Sequence, residues 1–181
     1  MDKPLIILAG MLGSGCTEIA EKLSKKLGLD FINSGKIIRE IVSEGKLSYR
    51  DLEIMTRSGE IDLDELIKSV LLDHVNKRNI IVEGRSAFLI LDRSDVDLKV
   101  FFWAPLEYRI KHIAGRRKIS LEEAKNHVKI GDEDRKSLVL RLYNRDWLDA
   151  DLYDIVVNTS KWSSEEVAEI IEKIYRVRKK V

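Results

Sequence analysis

Cysteine occurs once in the 181-residue chain, as Cys16. No intramolecular disulfide can form, and no cysteine-built zinc site exists. The three histidines, His74, His112 and His127, lie far apart and show no metal-ligand spacing. Glutamine is absent while Lys and Glu are plentiful, a composition that leans toward a heat-adapted source. Only two prolines occur, Pro4 and Pro105, both at the edges of apolar runs, and no Pro/Gly/Ser linker or repeat interrupts the chain. No apolar stretch approaches the roughly 18 residues a membrane span requires. Neither sign of charge dominates: Lys+Arg is 32 and Asp+Glu 31, a formal net charge of +1. That lacks the basic excess of a protein built to coat nucleic acid, and no nucleic-acid partner is expected. Met1-Asp2-Lys3 leads straight into a short apolar run and glycines, without the features of a secretory signal. The expectation is a cytoplasmic protein with no membrane partner, a monomer or weak dimer.

What is present is 44% hydrophobic residues, far too many for disorder and enough for one domain with its own core. Leu5–Ala9, Ile80–Val82, Leu98–Trp103 and Ile155–Val157 are short, near-continuous apolar runs, with Phe31-Ile32 as a fifth candidate. Such runs fit strands covered on both faces, and the helical patterns between them predict an α/β domain with a parallel sheet. Ile19, Ala20, Leu23 and Leu27 share one helix face, and Gly28 is placed to end that helix. Ser120 with Glu123 predicts a capping box opening a short helix. Ser163 with Glu166 does the same for the last helix, whose buried stripe is expected to be Val167, Ile170, Ile171 and Ile174. Residues 34–78 and 114–150 exceed what a crossover needs, and long insertions of this kind tend to cover a site at the strand ends.

Gly10-Met11-Leu12-Gly13-Ser14-Gly15-Cys16-Thr17 falls between the first strand and the first helix. It fits G-x-x-x-x-G-K-[ST] at every fixed position but the lysine. Gly10, Gly13 and Gly15 let successive backbone N–H groups turn inward around a phosphate, with Ser14 between them. The following helix points its positive end at the same anion. The Thr17 hydroxyl is placed to ligate Mg²⁺ carried by the phosphates. Cys16 stands where the lysine charge would be and cannot supply it. The bland alternative is a glycine-rich turn with no ligand.

Beyond the loop, several motifs resemble the cytidylate kinase-like family. They are Gly13-Ser14-Gly15 with Glu18-Ile19-Ala20-Glu21-Lys22-Leu23 and Lys26-Leu27-Gly28, Val82-Glu83-Gly84-Arg85, and Ala104-Pro105-Leu106-Glu107-Tyr108-Arg109. Asp132 with Arg135, Tyr143, Trp147, Tyr153-Asp154 and Asn158-Thr159-Ser160 continue the likeness over nearly the whole chain. Ser34-Gly35-Lys36-Ile37-Ile38-Arg39-Glu40 is similar to archaeal members, and the lysine-free loop to a bacterial branch. The resemblance implies a P-loop nucleoside monophosphate kinase fold, a five-stranded parallel sheet flanked by helices. It implies one domain over 1–181, with a monophosphate-binding insertion at about 34–78 and a lid at about 114–136. The implied reaction is transfer of the ATP γ-phosphoryl group to a nucleoside monophosphate, CMP or dCMP, with Mg²⁺.

The resemblance places Arg39, with Ser34, against the acceptor phosphate, and an arginine fork suits phosphate oxygens. Arg85, beside Gly84 at a strand's C-terminal end, reads as a second clamp; the alternative is pairing with a surface carboxylate. Glu83 could orient a metal-bound water, hold Arg85 or cap a helix. Arg116 and Arg135 fall on lid positions that would neutralise the transferring group, and with Arg85 form the expected catalytic set. Arg117 and Arg141 are weaker candidates, since a basic run is ordinarily a solvated face. Asp132 is expected to position Arg135 or touch the metal's water shell, and Trp103 to lie in the core. Asn158-Thr159-Ser160 falls where the family rests the ATP base. Two other functions stay open: a nucleotide-binding protein with little turnover because of Cys16, and a P-loop kinase for another small acceptor. A thiol enzyme centred on Cys16 would need a partner base, and no histidine is near it in sequence.

Overall fold

The computed structural model describes residues 3–178. Five strands, β1 (Leu5–Gly10), β2 (Asp30–Ile32), β3 (Ile80–Glu83), β4 (Leu98–Trp103) and β5 (Ile155–Asn158), form one parallel sheet in the order β2-β3-β1-β4-β5. All five expected strands are present, each within a residue or so of its sequence bounds. The chain leaves β1 toward β2 on one side and leaves β3 toward β4 on the other. The adjacent C-terminal ends of β1 and β3 therefore open a crevice, where sheets of this type bind ligands.

β1 shows how an unbroken apolar run serves two cores. Successive side chains of a strand point to opposite faces. Leu5, Ile7 and Ala9 pack on one side with helices α2 (Ser34–Glu44) and α4 (Leu63–Lys77), the 3-10 turn Gly84–Ile90 and Trp147. Ile6 and Leu8 pack on the other with α1 (Cys16–Leu27) and α7 (Ser164–Arg178). Each such fully buried Leu or Ile contributes about 1.5–3 kcal/mol. β5 departs from the expectation of two covered faces, because it is an edge strand: Val156 is exposed. Trp103, expected in the core, is 36% exposed at the end of β4. Trp147 is buried instead, its ring against Phe88 and edge-on to Phe101.

Helix ends follow the sequence signals. Gly28 closes α1 in the left-handed conformation. Ser163 and Glu166 exchange side chain and backbone bonds at the start of α7. The buried stripe of α7 is Val167, Ala168, Ile171 and Tyr175; Ile170 and Ile174 lie a step off it and are exposed. Ser120 and Glu123 form the expected capping box, but the helix they open is long, α6 (Leu121–Tyr143). The expected lid boundary at 136 thus falls inside one continuous helix, which Asn144 ends with a positive φ. α6 packs back on α5 (Leu106–Arg117) through Ile110, Ile113, Ala124 and Val128, with Leu12 against them. α3 (Tyr49–Arg57) completes the 34–78 segment between α2 and α4.

Candidate functional site

The loop after β1 is held by its own backbone. Met11 N donates to Phe102 O at 3.0 Å, and Ser14 N and Oγ both donate to Met11 O at 3.1 and 2.8 Å. Gly13 and Gly15 have φ of 87° and 81°, a region costly for any residue with a Cβ. A Cβ at Gly13 would also lie 2.8 Å from Arg109 O. Among the described residues, the Gly13 and Gly15 amides have no acceptor within the chain. The first amides of α1 follow directly, and the opening turn of any helix leaves its N–H groups without intrahelical acceptors. The result is a concave row of donors at a helix's positive end, an anion cradle.

A buried guanidinium braces this loop from outside. Arg109, 6% exposed, donates through Nη1 to Leu12 O at 3.1 Å and to Asp132 Oδ2 at 2.7 Å, and through Nε to Ala104 O at 3.0 Å. Leu12 N donates to the other Asp132 oxygen at 3.2 Å. Asp132 is therefore committed to Arg109 and the loop, not to Arg135 or a metal's water shell as its sequence position implied. The cause is the α5–α6 packing, which sets Asp132 opposite Arg109. In the sequence Arg109 stands out only as part of a motif, with no role attached.

Cys16 borders the loop cavity but spends its thiol on the backbone below it. Its Sγ donates to Leu8 O at 3.1 Å, and the side chain packs against the apolar cluster beneath α1. Burial pushes the thiol well above its ordinary pKa, and the negative charge of Glu83 adds to the shift. A neutral thiol facing the sheet occupies the place of a phosphate-facing lysine. Thr17 Oγ1 donates to Glu83 Oε1 at 3.1 Å, and Asn33 Nδ2 donates to Glu83 Oε2 at 2.7 Å. Glu83, buried at the end of β3, thus links loop, β3 and α2, and holds neither Arg85 nor a helix cap. Its carboxylate and the Thr17 hydroxyl are hard oxygen donors suited to Mg²⁺, which keeps several waters and shares phosphate oxygens. Among the described residues no group of three or more His, Cys, Asp or Glu could hold a metal alone. The donor set fits an ion that arrives with a nucleotide.

His112 is a neighbour that sequence reasoning missed. Its Nδ1 lies 2.9 Å from Gly13 O and its Nε2 3.3 Å from Glu18 Oε1, while the ring stacks on Tyr108. The contacts span more than ninety residues, and its place three residues after Arg109 on α5 is the one signal that could have found it. A histidine does reach the loop, but the Cys16 thiol faces Leu8 on the other side, so the two form no nucleophile–base pair.

Two cavities meet here. One, of 300 Å³, lies over the loop from Gly10 to Thr17; the other, of 440 Å³, lies between the loop, α2 and the end of β3. They share Thr17, Glu83, Gly84, Arg116 and Arg135. Ser34, Arg39 and Arg85 line the second, so every arginine singled out as catalytic or substrate-binding faces one continuous space. Ser34 Oγ shares a hydrogen bond with Ser86 Oγ at 2.7 Å, and Asn33 caps α2 by accepting from Lys36 N. Arg85 also reaches Asp64 Oδ1 at 3.4 Å, a long and half-exposed contact, and Arg141 reaches the other Asp64 oxygen at the same distance. Arg117 lies at the loop cavity and bonds His127. Asn158 Oδ1 accepts from Ser160 N, and Thr159 Oγ1 donates across to Trp103 O at the end of β4. Trp162 is exposed.

The strand order, the amide-lined loop at the β1–β3 crevice and the arginine-bordered space beside it define a P-loop protein of the kinase type. A family profile described as the cytidylate kinase-like family matches residues 5–161. The chain belongs to the cytidylate kinase-like family, with a cysteine at the loop's lysine position. It is 31% identical over 173 residues to a cytidylate kinase of Pyrococcus horikoshii, covering 94% of this chain and 88% of that one. It is 33% identical over 168 residues to a cytidylate kinase of Methanobrevibacter smithii, covering 92% and 95%. Among solved structures, an uncharacterized protein from Eubacterium ventriosum superposes with a TM-score of 0.67 at 18% identity, covering 96% and 99%. Shikimate kinase from Acinetobacter baumannii does so with 0.63 at 17%, covering 98% and 95%. At such identities these two likenesses speak for the fold alone. No helix among the described residues is long and apolar enough to cross a membrane.

Proposed function

We propose that this chain is a nucleoside monophosphate kinase that moves the γ-phosphoryl group of Mg·ATP to CMP or dCMP, giving ADP and CDP or dCDP. The observation that carries the reading is the joining of the two cavities at Thr17, Glu83, Gly84, Arg116 and Arg135. A donor phosphate seated on the loop amides and an acceptor phosphate held beside it would face each other across that shared wall. The 31% and 33% identities to cytidylate kinases support the choice of base.

The roles follow from the chemistry. The amides of Gly13, Gly15, Cys16 and Thr17 grip the β- and γ-phosphates, with Gly10 and Ser14 shaping the bend. The Thr17 hydroxyl, steadied by Glu83, ligates the Mg²⁺ that comes with ATP. Arg39 and Arg85, with Ser34 and the Gly84 backbone, hold the acceptor phosphate. One of its oxygens attacks the γ-phosphorus in line, the bond to the β-phosphate oxygen breaks, and ADP leaves. Arg116 and Arg135 offset the charge on the transferring group, where electrostatic stabilisation is the main task. In this reading α2–α4 form the acceptor-binding insertion and the α5–α6 hairpin the lid, with the adenine against Asn158–Ser160.

A coupled assay with Mg·ATP across the common nucleoside monophosphates tests the proposal, and CMP or dCMP is expected to be consumed fastest. A second reading, a nucleotide-binding protein with little turnover, draws on the inward-facing neutral Cys16. ATP-induced thermal stabilisation with no turnover on any acceptor would replace the first reading with the second.

A further inference from the structure

We infer that Arg135, reaching in from α6, takes over the phosphate-facing charge that Cys16 does not carry at the loop. The inference rests on the nucleotide reading of the site given above. It distinguishes Arg135 from the other arginines around the two cavities.

Arg135 is a cation without an anion. Its Nε is buried and has no hydrogen-bond partner, and its Nη1 donates at 2.6 Å to a backbone carbonyl, Gly131 O. Among the described residues no carboxylate lies within ion-pair distance: the nearby Asp132 is committed to Arg109, and Glu83 to Thr17 and Asn33. A guanidinium left in this state is costly unless an anion completes it. The space it faces is the one over the inward-pointing loop amides. A group that completes both the amides and the guanidinium has several oxygens and negative charge, which is the chemistry of a polyphosphate tail. Burial lowers the Arg135 pKa, and the neighbouring Arg85 adds to that shift, while Asp132, Cys16 and Glu83 oppose it.

Arg116 is a different kind of cation. It borders the same two cavities but is exposed and makes no ion pair among the described residues, so water already solvates it. An exposed charge gains little from a second partner. Arg135 is fixed in place before any ligand arrives, which is the condition under which a charge acts without reorganisation.

A four-member set tests this: the natural protein, Arg135→Met, Cys16→Lys and the double variant. Mg·ATP uptake is read by calorimetry and thermal shift, and turnover by the coupled assay. Arg135→Met is expected to lower turnover about 100-fold, the scale of losing one preplaced donor to developing charge. Its ligand-free melting temperature should not fall, because a buried unpaired charge has been removed; a merely structural arginine would lower it. Cys16→Lys should gain about tenfold more in the Arg135→Met background than in the natural one, as coupled neighbours do. Arg135→Lys, which leaves the loop untouched, should keep more ATP uptake than Arg135→Met. Equal gains from Cys16→Lys in both backgrounds, or equal losses from Arg135→Met and Arg135→Lys, would overturn the inference. A natural protein that takes up no ATP overturns the nucleotide reading itself, and this inference with it.

Discussion

The loop end and the arginine end of the site are built on opposite plans. At the loop, the groups proposed to bind are main-chain amides, and side chains serve as braces: Arg109 and Asp132 outside, Ser14 within, the Cys16 thiol bonded to Leu8 O. At the other end the cavity is lined by guanidinium groups from α2, the end of β3, α5 and α6, to which the proposed function gives the binding. Amides fixed by a bend provide shape but little net charge. Guanidinium groups provide charge but need other elements to bring them near. The loop carries no lysine charge at position 16, so in the proposed function the two halves of phosphate recognition sit on separate parts of the chain. A loop of this kind depends on its neighbours for electrostatics and on itself for geometry.

The comparison breaks most sharply at the brace. Asp132→Ala leaves Arg109 buried without its carboxylate and frees Leu12 N, and the expected loss is about 3–5 kcal/mol of stability. Denaturant unfolding measures it, and ATP-induced stabilisation should vanish with it. A loss well under 1 kcal/mol would mean that the loop holds its shape unaided. At the other end, Arg39→Ala should raise the acceptor KM about thirtyfold, the scale of removing one partner from a charge-assisted pair, with ATP affinity nearly unchanged. An equal fall in ATP affinity would mean that the two ends are one electrostatic unit. The smallest effect concerns Cys16. Its thiol pKa is raised in the folded chain, so the proton is held more tightly there than in the unfolded one. That preference is in place below the ordinary thiol range and is lost as pH rises through and beyond it. Iodoacetamide labelling near neutrality should be slower than for a free cysteine, because the thiolate is the nucleophile. Labelling at the free-thiol rate would show that the loop opens readily.

Much of the molecule could be read from local pattern. The five strands, the Gly28 stop and the Ser120 and Ser163 caps depend on residues within a few positions of one another, and they occur where the pattern put them. α6 proved long where a short helix was expected because no proline interrupts Glu123 to Asn144, and the lid boundary at 136, which the family resemblance implied, falls inside it. The α7 stripe was one step off because Ala168 and Tyr175 were passed over for Ile170 and Ile174. Side-chain pairing was harder. Asp132 was matched with its helix neighbour Arg135, whereas Arg109, 23 residues away on α5, holds it. Trp103 was expected in the core and is 36% exposed, since an apolar run does not reveal which of its ends meets solvent.

Sequence alone determined that a glycine-shaped bend follows the first strand and that no lysine charge is attached to it, because backbone conformation and residue identity are local properties. Only the tertiary structure decided that the thiol faces Leu8, that Asp132 belongs to Arg109, and that Arg135 faces the loop with no ion pair among the described residues. Those outcomes depend on how two helices pack across a sheet, and electrostatic pairing follows distance in space, not along the chain.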